Sequence, residues 1–113
     1  ITKSLKDVMV YHTYGVDAVA AQSETCSFTK EIIGFFKKRY DKVLIHYDND
    51  DTGKFYADKL SSLYDIDYFY NQESHLKDIS DYREAYGGSK TEEYISSITD
   101  GRESEVTYRK GVV

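Results

Sequence analysis

The chain has 113 residues, of which 20 are acidic and 15 basic, for a net charge of −5 at neutral pH. That length makes one domain, with room for a sheet and its covering helices. The charge argues against a general duplex-DNA coat, which would be basic, and no apolar run approaches the roughly 20 residues of a membrane helix.

The chain opens on Ile1-Thr2-Lys3, which reads as the tail of a strand, and it lacks an initiator Met. A piece of a longer protein is therefore expected. Ser4 can cap a first helix, with Asp7 as its capping-box partner. Leu5, Val8, Met9 and His12 then recur at helical spacing, and Gly15 stops the helix. Val16 to Ala21 reads as a short strand. Ser27 or Thr29 opens a second helix with Phe28, Ile32, Phe35 and Phe36 inward. Lys37, Lys38 and Arg39 suit the negative end of its dipole and read as a solvated helix end.

Lys42 to Tyr47 is the next strand. Thr52 starts a third helix with Phe55, Leu60 and Leu63 on the buried side. Asp65 to Tyr70 alternates polar and apolar residues, as a half-exposed edge strand does. Asp78 caps a short helix with Ile79, Tyr82 and Tyr86, which Gly87-Gly88 breaks. Ser89-x-x-Glu92 is a second capping box, for a helix to about Ile98. A domain over residues 1–100 and a polar C-terminal tail over 101–113 are expected, with one candidate strand at Val106-Thr107-Tyr108. Strand and helix alternate, so the fold class is α/β, a four-stranded parallel sheet flanked by helices.

The segment from Val43 to Gly53 carries the chemistry. A β-branched run ends in Asp48 and Asp50, then Gly53, then a helical pattern. That puts two carboxylates at the carboxyl end of a buried strand, where α/β sheets bind ligands. Lys77-Asp78-Ile79-Ser80-Asp81 supplies a second acidic pair. Mg²⁺ prefers oxygen ligands and takes a few carboxylates while keeping water or phosphate, so two such clusters fit phosphate chemistry. Two bound divalent ions would take the net charge from −5 to −1, so the acidic total is compatible with nucleic acid contacted through metal and local lysines.

A purely structural role competes, because Asp48, Asp50 and Asp78 could each cap a helix. Capping explains one aspartate per helix but not the surplus. Glu24, after the second strand, is a candidate extra carboxylate, with a solvated loop Glu as the plainer reading. His46, His12 and His75 read as packed or surface histidines rather than ligands. Cys26 is the sole cysteine, cannot form an internal disulfide and has no ligand spacing; its single thiol suits a reducing cytoplasm. The twelve Tyr read mostly as packing residues with wet hydroxyls.

Three known patterns overlap Asp48 to Gly53. An EF-hand fits Asp48, Asp50, Thr52 and Gly53, but its twelfth position is Lys59 rather than Glu, and a strand precedes the loop. Asp48, Asp50 and Thr52 also match the Asp-x-Asp-x-Thr of haloacid-dehalogenase phosphatases, which place that motif near the start of a longer chain. The third pattern is Asp-x-Asp-x-x-Gly after a central strand, with a later acidic loop. Here the chain resembles the Toprim domain of primases, topoisomerases and some nucleases, over roughly Ile1 to Gly87. Lys77-Asp78-Ile79-Ser80-Asp81-Tyr82 looks like an element of the primases of phages and mobile elements. Thr2 to Val8 followed by Val16 to Ala20 looks like the family's first strand, helix and second strand. Lys3 stands where the family has a Glu, Ser4 where it has a Gly, and Asp7 is kept.

The resemblance implies a Rossmann-like Toprim fold in a cytoplasmic, DNA-primase-like replication protein of a bacterium, phage or mobile element. It implies nucleotidyl transfer for RNA primer synthesis, with Mg²⁺ or Mn²⁺ as cofactor. DNA template and nucleoside triphosphates would be the partners, with a replicative helicase as a candidate and no membrane. Asp48 and Asp50 would be catalytic, with Lys3 contacting phosphate in place of part of the metal charge. Asp48, Asp50, Asp78 and Asp81 would hold metal, and Lys3, Lys6 and Lys77 would hold nucleotide or nucleic acid. The alternatives are a non-catalytic Toprim module that binds nucleic acid or protein in a replication or recombination complex, or a Toprim nuclease or topoisomerase piece.

Overall fold

A computed structural model describes residues 1–21 and 28–100. In chain order it contains α1 (Leu5–Thr13), α2 (Lys30–Arg39), β1 (Leu44–His46), α3 (Asp51–Tyr64), β2 (Asp67–Phe69) and α4 (Ile79–Asp100). Strands β1 and β2 are parallel, with Leu44 opposite Asp67, Ile45 opposite Tyr68 and His46 opposite Phe69. Glu24, Cys26, Ser27 and the candidate strand Val106-Thr107-Tyr108 lie outside the described residues.

The expected four-stranded sheet is not what forms among the described residues: the sheet has two strands. Thr2 joins it through single parallel bridges to His46 and to Ala20. The Ile1 α-amino group donates to Leu44 O, His46 N–H to Ile1 O, and Thr2 N–H to Val19 O. Two local causes keep these segments short. Ser4 already adopts the N-cap conformation of α1, which turns the chain out of the sheet after Thr2. Val16 N–H is held by Tyr11 O at the end of α1, so the following segment reaches the sheet only near Ala20.

The parity of β1 sorts the layers. Ile45 and Tyr47 face one side and pack with Ile33 of α2 and with Ala57 and Leu60 of α3. Leu44 and His46 face the other. There Leu44 packs with Phe69 and Ile98, and the His46 ring lies 4.3 Å from that of Phe69 and contacts Tyr11 of α1 and Tyr94 of α4. Helices thus cover both faces of the sheet, as a parallel sheet requires.

Helices α2 and α3 start where a capping side chain places them. Thr29 accepts the Ile32 N–H, and Asp50 accepts the Gly53 N–H. Gly87, at φ 80° and ψ −179°, breaks the regular geometry inside α4, matching the expected Gly87-Gly88 interruption. Lys37 does more than end α2: its ammonium donates to the carbonyls of Tyr64 and Asp65 at the end of α3. Several tyrosines pack their rings and keep a bonded hydroxyl, as Tyr64 does to Phe28 O and Tyr40 to Asp17.

The helix faces correct the sequence reading. Ile32, Phe35, Phe55 and Leu63, expected on buried faces, are exposed, and so are Leu5 and Met9 of the helically spaced set in α1. In α1 the buried residues are Asp7 and Tyr11, and in α2 Ile33. The inward face of α1 is set by polar partners on the sheet and on α4, which hydropathy spacing cannot register.

A candidate metal centre

Strand β1 runs directly into the site. By strand parity Asp48 shares a face with His46, the face covered by α1 and α4. The backbone from Ile45 to Asn49 is buried throughout. α3 then begins at once, with its first turn pressed on the Asp48 peptide: a Cβ on Gly53 would lie 2.2 Å from Asp48 O. This close approach is the physical reason for glycine at the end of the Asp-x-Asp-x-x-Gly element.

Asp7, Asp48 and Asp78 converge from three elements, each offering a carboxylate oxygen within 4.8 Å of the others. All three are buried, at 1%, 4% and 6% exposure. Asp7 comes from the first turn of α1, Asp48 from two residues past the end of β1, and Asp78 from the residue before α4. Hydroxyls fix Asp7: Ser80 Oγ donates to Oδ1 at 2.7 Å and Ser4 Oγ to Oδ2 at 3.1 Å. Asp78 Oδ1 accepts the Asp81 N–H at 2.8 Å, so Asp78 caps α4 with one oxygen.

Two lysines close on the cluster. Lys3 Nζ donates to Asp48 Oδ2 at 2.9 Å, and Lys6 Nζ lies 3.5 Å from Asp78 Oδ2. Asp78 is the main reason the Lys6 ammonium is held above its ordinary pKa. Burial raises the Asp7 carboxyl above its usual value, against the Ser80 hydrogen bond. Burial also raises Asp48, opposed by Lys3 and reinforced by the charges of Asp78 and Asp50.

These residues fit a hard divalent cation. Asp48 Oδ1 is buried with no hydrogen-bond partner among the described residues. An orphaned buried carboxylate oxygen is costly, and a cation at the centre of three carboxylates would satisfy it.

The sequence-predicted residues therefore divide. Asp48 and Asp78 come together. Asp50 lies near enough to act on Asp48, but one oxygen caps α3. Asp81 accepts the Lys77 N–H at 3.1 Å and is outside the three-carboxylate group. The capping account thus holds for Asp50 and for half of Asp78, while Asp48 caps nothing and is the surplus. Lys3 and Lys6 are at the cluster, and Lys77 is exposed beside it. Asp7 departs from the capping-box expectation: Ser4 Oγ bonds its carboxylate rather than a backbone N–H, and Asp7 is the third carboxylate. The signal was present, since Asp7 stands where the Toprim pattern keeps an aspartate; a sufficient local explanation masked it. Of the histidines, His46 is packed, His12 is exposed, and exposed His75 lies 3.5 Å from Glu73.

An α/β domain with carboxylates gathered just past the carboxyl end of β1 is the class that fold and site define. The Toprim-like family model matches residues 1–84 of the 113, and the chain belongs to that family. No curated protein and no solved structure matched the chain. Toprim domains occur in primases, nucleases and topoisomerases; they act on nucleic acids and bind divalent metals. No described helix is long and apolar enough to cross a membrane.

Proposed function

We propose that this domain holds Mg²⁺ or Mn²⁺ between Asp7, Asp48 and Asp78 and serves nucleotidyl transfer in a primase-like protein that makes RNA primers on DNA. The observation that carries the reading is the bare, buried Asp48 Oδ1 inside a three-carboxylate cluster. The likeness of Lys77 to Tyr82 to phage-primase sequences supports the primase end of it. When bound, the cation would neutralise charge on phosphate oxygens. The chain's own residues position and bind. Ser4 and Ser80 orient Asp7, the α3 cap holds Asp50 beside Asp48, and Lys3, Lys6 and Lys77 supply positive charge for the phosphates of a nucleoside triphosphate or the template backbone.

Calorimetry with Mn²⁺ tests this. Wild type binds and Asp48→Asn does not. Lys3→Ala frees Asp48 Oδ2 and raises affinity by up to about fivefold, because a pair with Lys3 39% exposed is worth little. Absence of binding by wild type, with a nucleoside triphosphate present, refutes the proposal. The Lys3–Asp48 ion pair favours a second reading, in which lysine stands in for the cation and the domain is a non-catalytic module for nucleic acid or protein. That module would bind its partner unchanged in the presence of a chelator.

A further inference from the structure

Beneath the carboxylates runs a buried polar chain that no catalytic role requires. Tyr11 OH hydrogen-bonds His46 Nδ1, and His46 Nε2 lies 2.9 Å from Asn71 Oδ1. Tyr94 OH also donates to Asn71 Oδ1, at 2.8 Å. The Asn71 amide donates to Leu76 O at 2.7 Å and to Asp78 O at 2.8 Å. Tyr11, His46 and Asn71 are 5%, 4% and 2% exposed. We propose that Tyr11, His46 and Asn71 form a relay that fixes the spacing of Asp7, Asp48 and Asp78, and are positioning residues for the cation site. This rests on the cation reading above.

Each member of the relay is rigidly tied to one carboxylate. Tyr11 follows Asp7 by four residues on α1, one turn along the same face. His46, the last residue of β1, precedes Asp48 by two along a buried, extended stretch of chain. Asn71 clamps the acidic loop directly, with its two donors on carbonyls either side of Lys77. Asn71 lies two residues past the end of β2, as Asp48 lies two past the end of β1, and those ends, His46 and Phe69, are paired. Asn49 reinforces the clamp: its N–H bonds to Lys77 O at 2.8 Å, and its side chain bonds to Asn71 O.

Direction and saturation separate this chain from ordinary buried polarity. The Asn71 carboxamide uses both donors and both acceptor positions, so its orientation is fixed. His46 must then carry its proton on Nε2 and accept from Tyr11 at Nδ1. Hydrogen-bond lengths vary by only a few tenths of an ångström, whereas apolar contacts allow sliding. Leu or Phe at these places would fill the space without fixing the distance between α1, β1 and the acidic loop.

The test uses Asn71→Ala, Tyr11→Phe, His46→Leu and His46→Gln at a temperature where circular dichroism shows each folded. The readouts are Mn²⁺ affinity, the paramagnetic resonance line shape of bound Mn²⁺, and amide exchange of the metal-free protein. Asp81 N–H reports the Asp78 carboxylate, and Asn49 N–H reports the loop. Asn71→Ala should weaken Mn²⁺ about 10- to 100-fold and alter the line shape. Its Asp81 and Asn49 amides should exchange about tenfold faster or more, with α3 amides unchanged. Tyr11→Phe should show the same changes more weakly, and His46→Gln should recover part of what His46→Leu loses. Folded variants with wild-type affinity, line shape and Asp81 protection overturn the relay. If Asn71→Ala does not fold, Tyr11→Phe decides on the same readouts. If wild type binds no Mn²⁺, the cation reading falls on its own, and Asp81 and Asn49 exchange decides the relay: faster exchange in the variants supports it, and unchanged exchange overturns it.

Discussion

Gly53→Ala places a methyl group where the structure has no room. The new Cβ would sit 2.2 Å from Asp48 O and 3.0 Å from both Asp48 C and Asp48 N. Real Cβ atoms do not come closer than 3.0 Å, so the first turn of α3 and the Asp48 peptide must part by at least 3.0 − 2.2 = 0.8 Å. The obstacle is backbone and cannot rotate away. Overpacking of this kind costs about 1–3 kcal/mol. Alanine returns at most about 1 kcal/mol of helix propensity, and less in a first turn. A net loss of about 1–2 kcal/mol is expected in urea denaturation. The same displacement moves Asp48 against Asp7 and Asp78, so Mn²⁺ affinity should fall about tenfold or more, as sub-ångström positioning of ligands demands. Gly34→Ala in α2 is the control. A Cβ there meets nothing within 4 Å, so it should stabilise by up to about 1 kcal/mol and leave Mn²⁺ binding alone. A Gly53→Ala protein as stable as Gly34→Ala, with unchanged Mn²⁺ affinity, would refute the packing account.

The other predictions concern charge and capping. Burial raises the folded-state pKa of Asp7 above 3.8, so its contribution is favourable at low pH and is lost as pH rises through that raised value; metal-free Asp7→Asn should therefore melt higher than wild type at neutral pH while binding Mn²⁺ more weakly. His46 has the opposite sign, because burial lowers it from 6.5 to about 4: the unfolded chain takes up the proton first, and stability falls by about 3 kcal/mol as pH drops from 6.5 towards 4. Denaturation curves of His46→Gln should lack that slope; an unchanged slope would remove His46 as its source. Asp50→Ala deletes the hydrogen bond to Gly53 N–H and should cost about 1 kcal/mol in urea denaturation, and an unaltered midpoint would show the cap to be idle.

What the sequence determined by itself is local and chemical. The β-branched run before Asp48, the cap at Asp50, the break at Gly87 and the acidic pair at Asp78 and Asp81 are properties of short windows. Backbone preference and hydrogen bonding within a few residues are enough to set them. The same windows placed Asp48 at a strand end and left one aspartate more than capping explains; the folded chain shows which one, because Asp50 takes the α3 cap. Tertiary structure decided what depends on partners far along the chain. Asp7 reads as a cap until α1 is laid against β1 and α4, where Ser80 and Asp48 meet it 73 and 41 residues away. Leu5 and Met9 look like a core stripe, but α1 turns Asp7 and Tyr11 inward because His46 and Ser80 hold them there. Asn71 carries no motif, and only the parallel register of β1 and β2 puts its carboxamide between the sheet and the acidic loop. Spacing along a chain fixes which residues share a face, whereas burial of a polar face requires a partner that only the folded chain supplies.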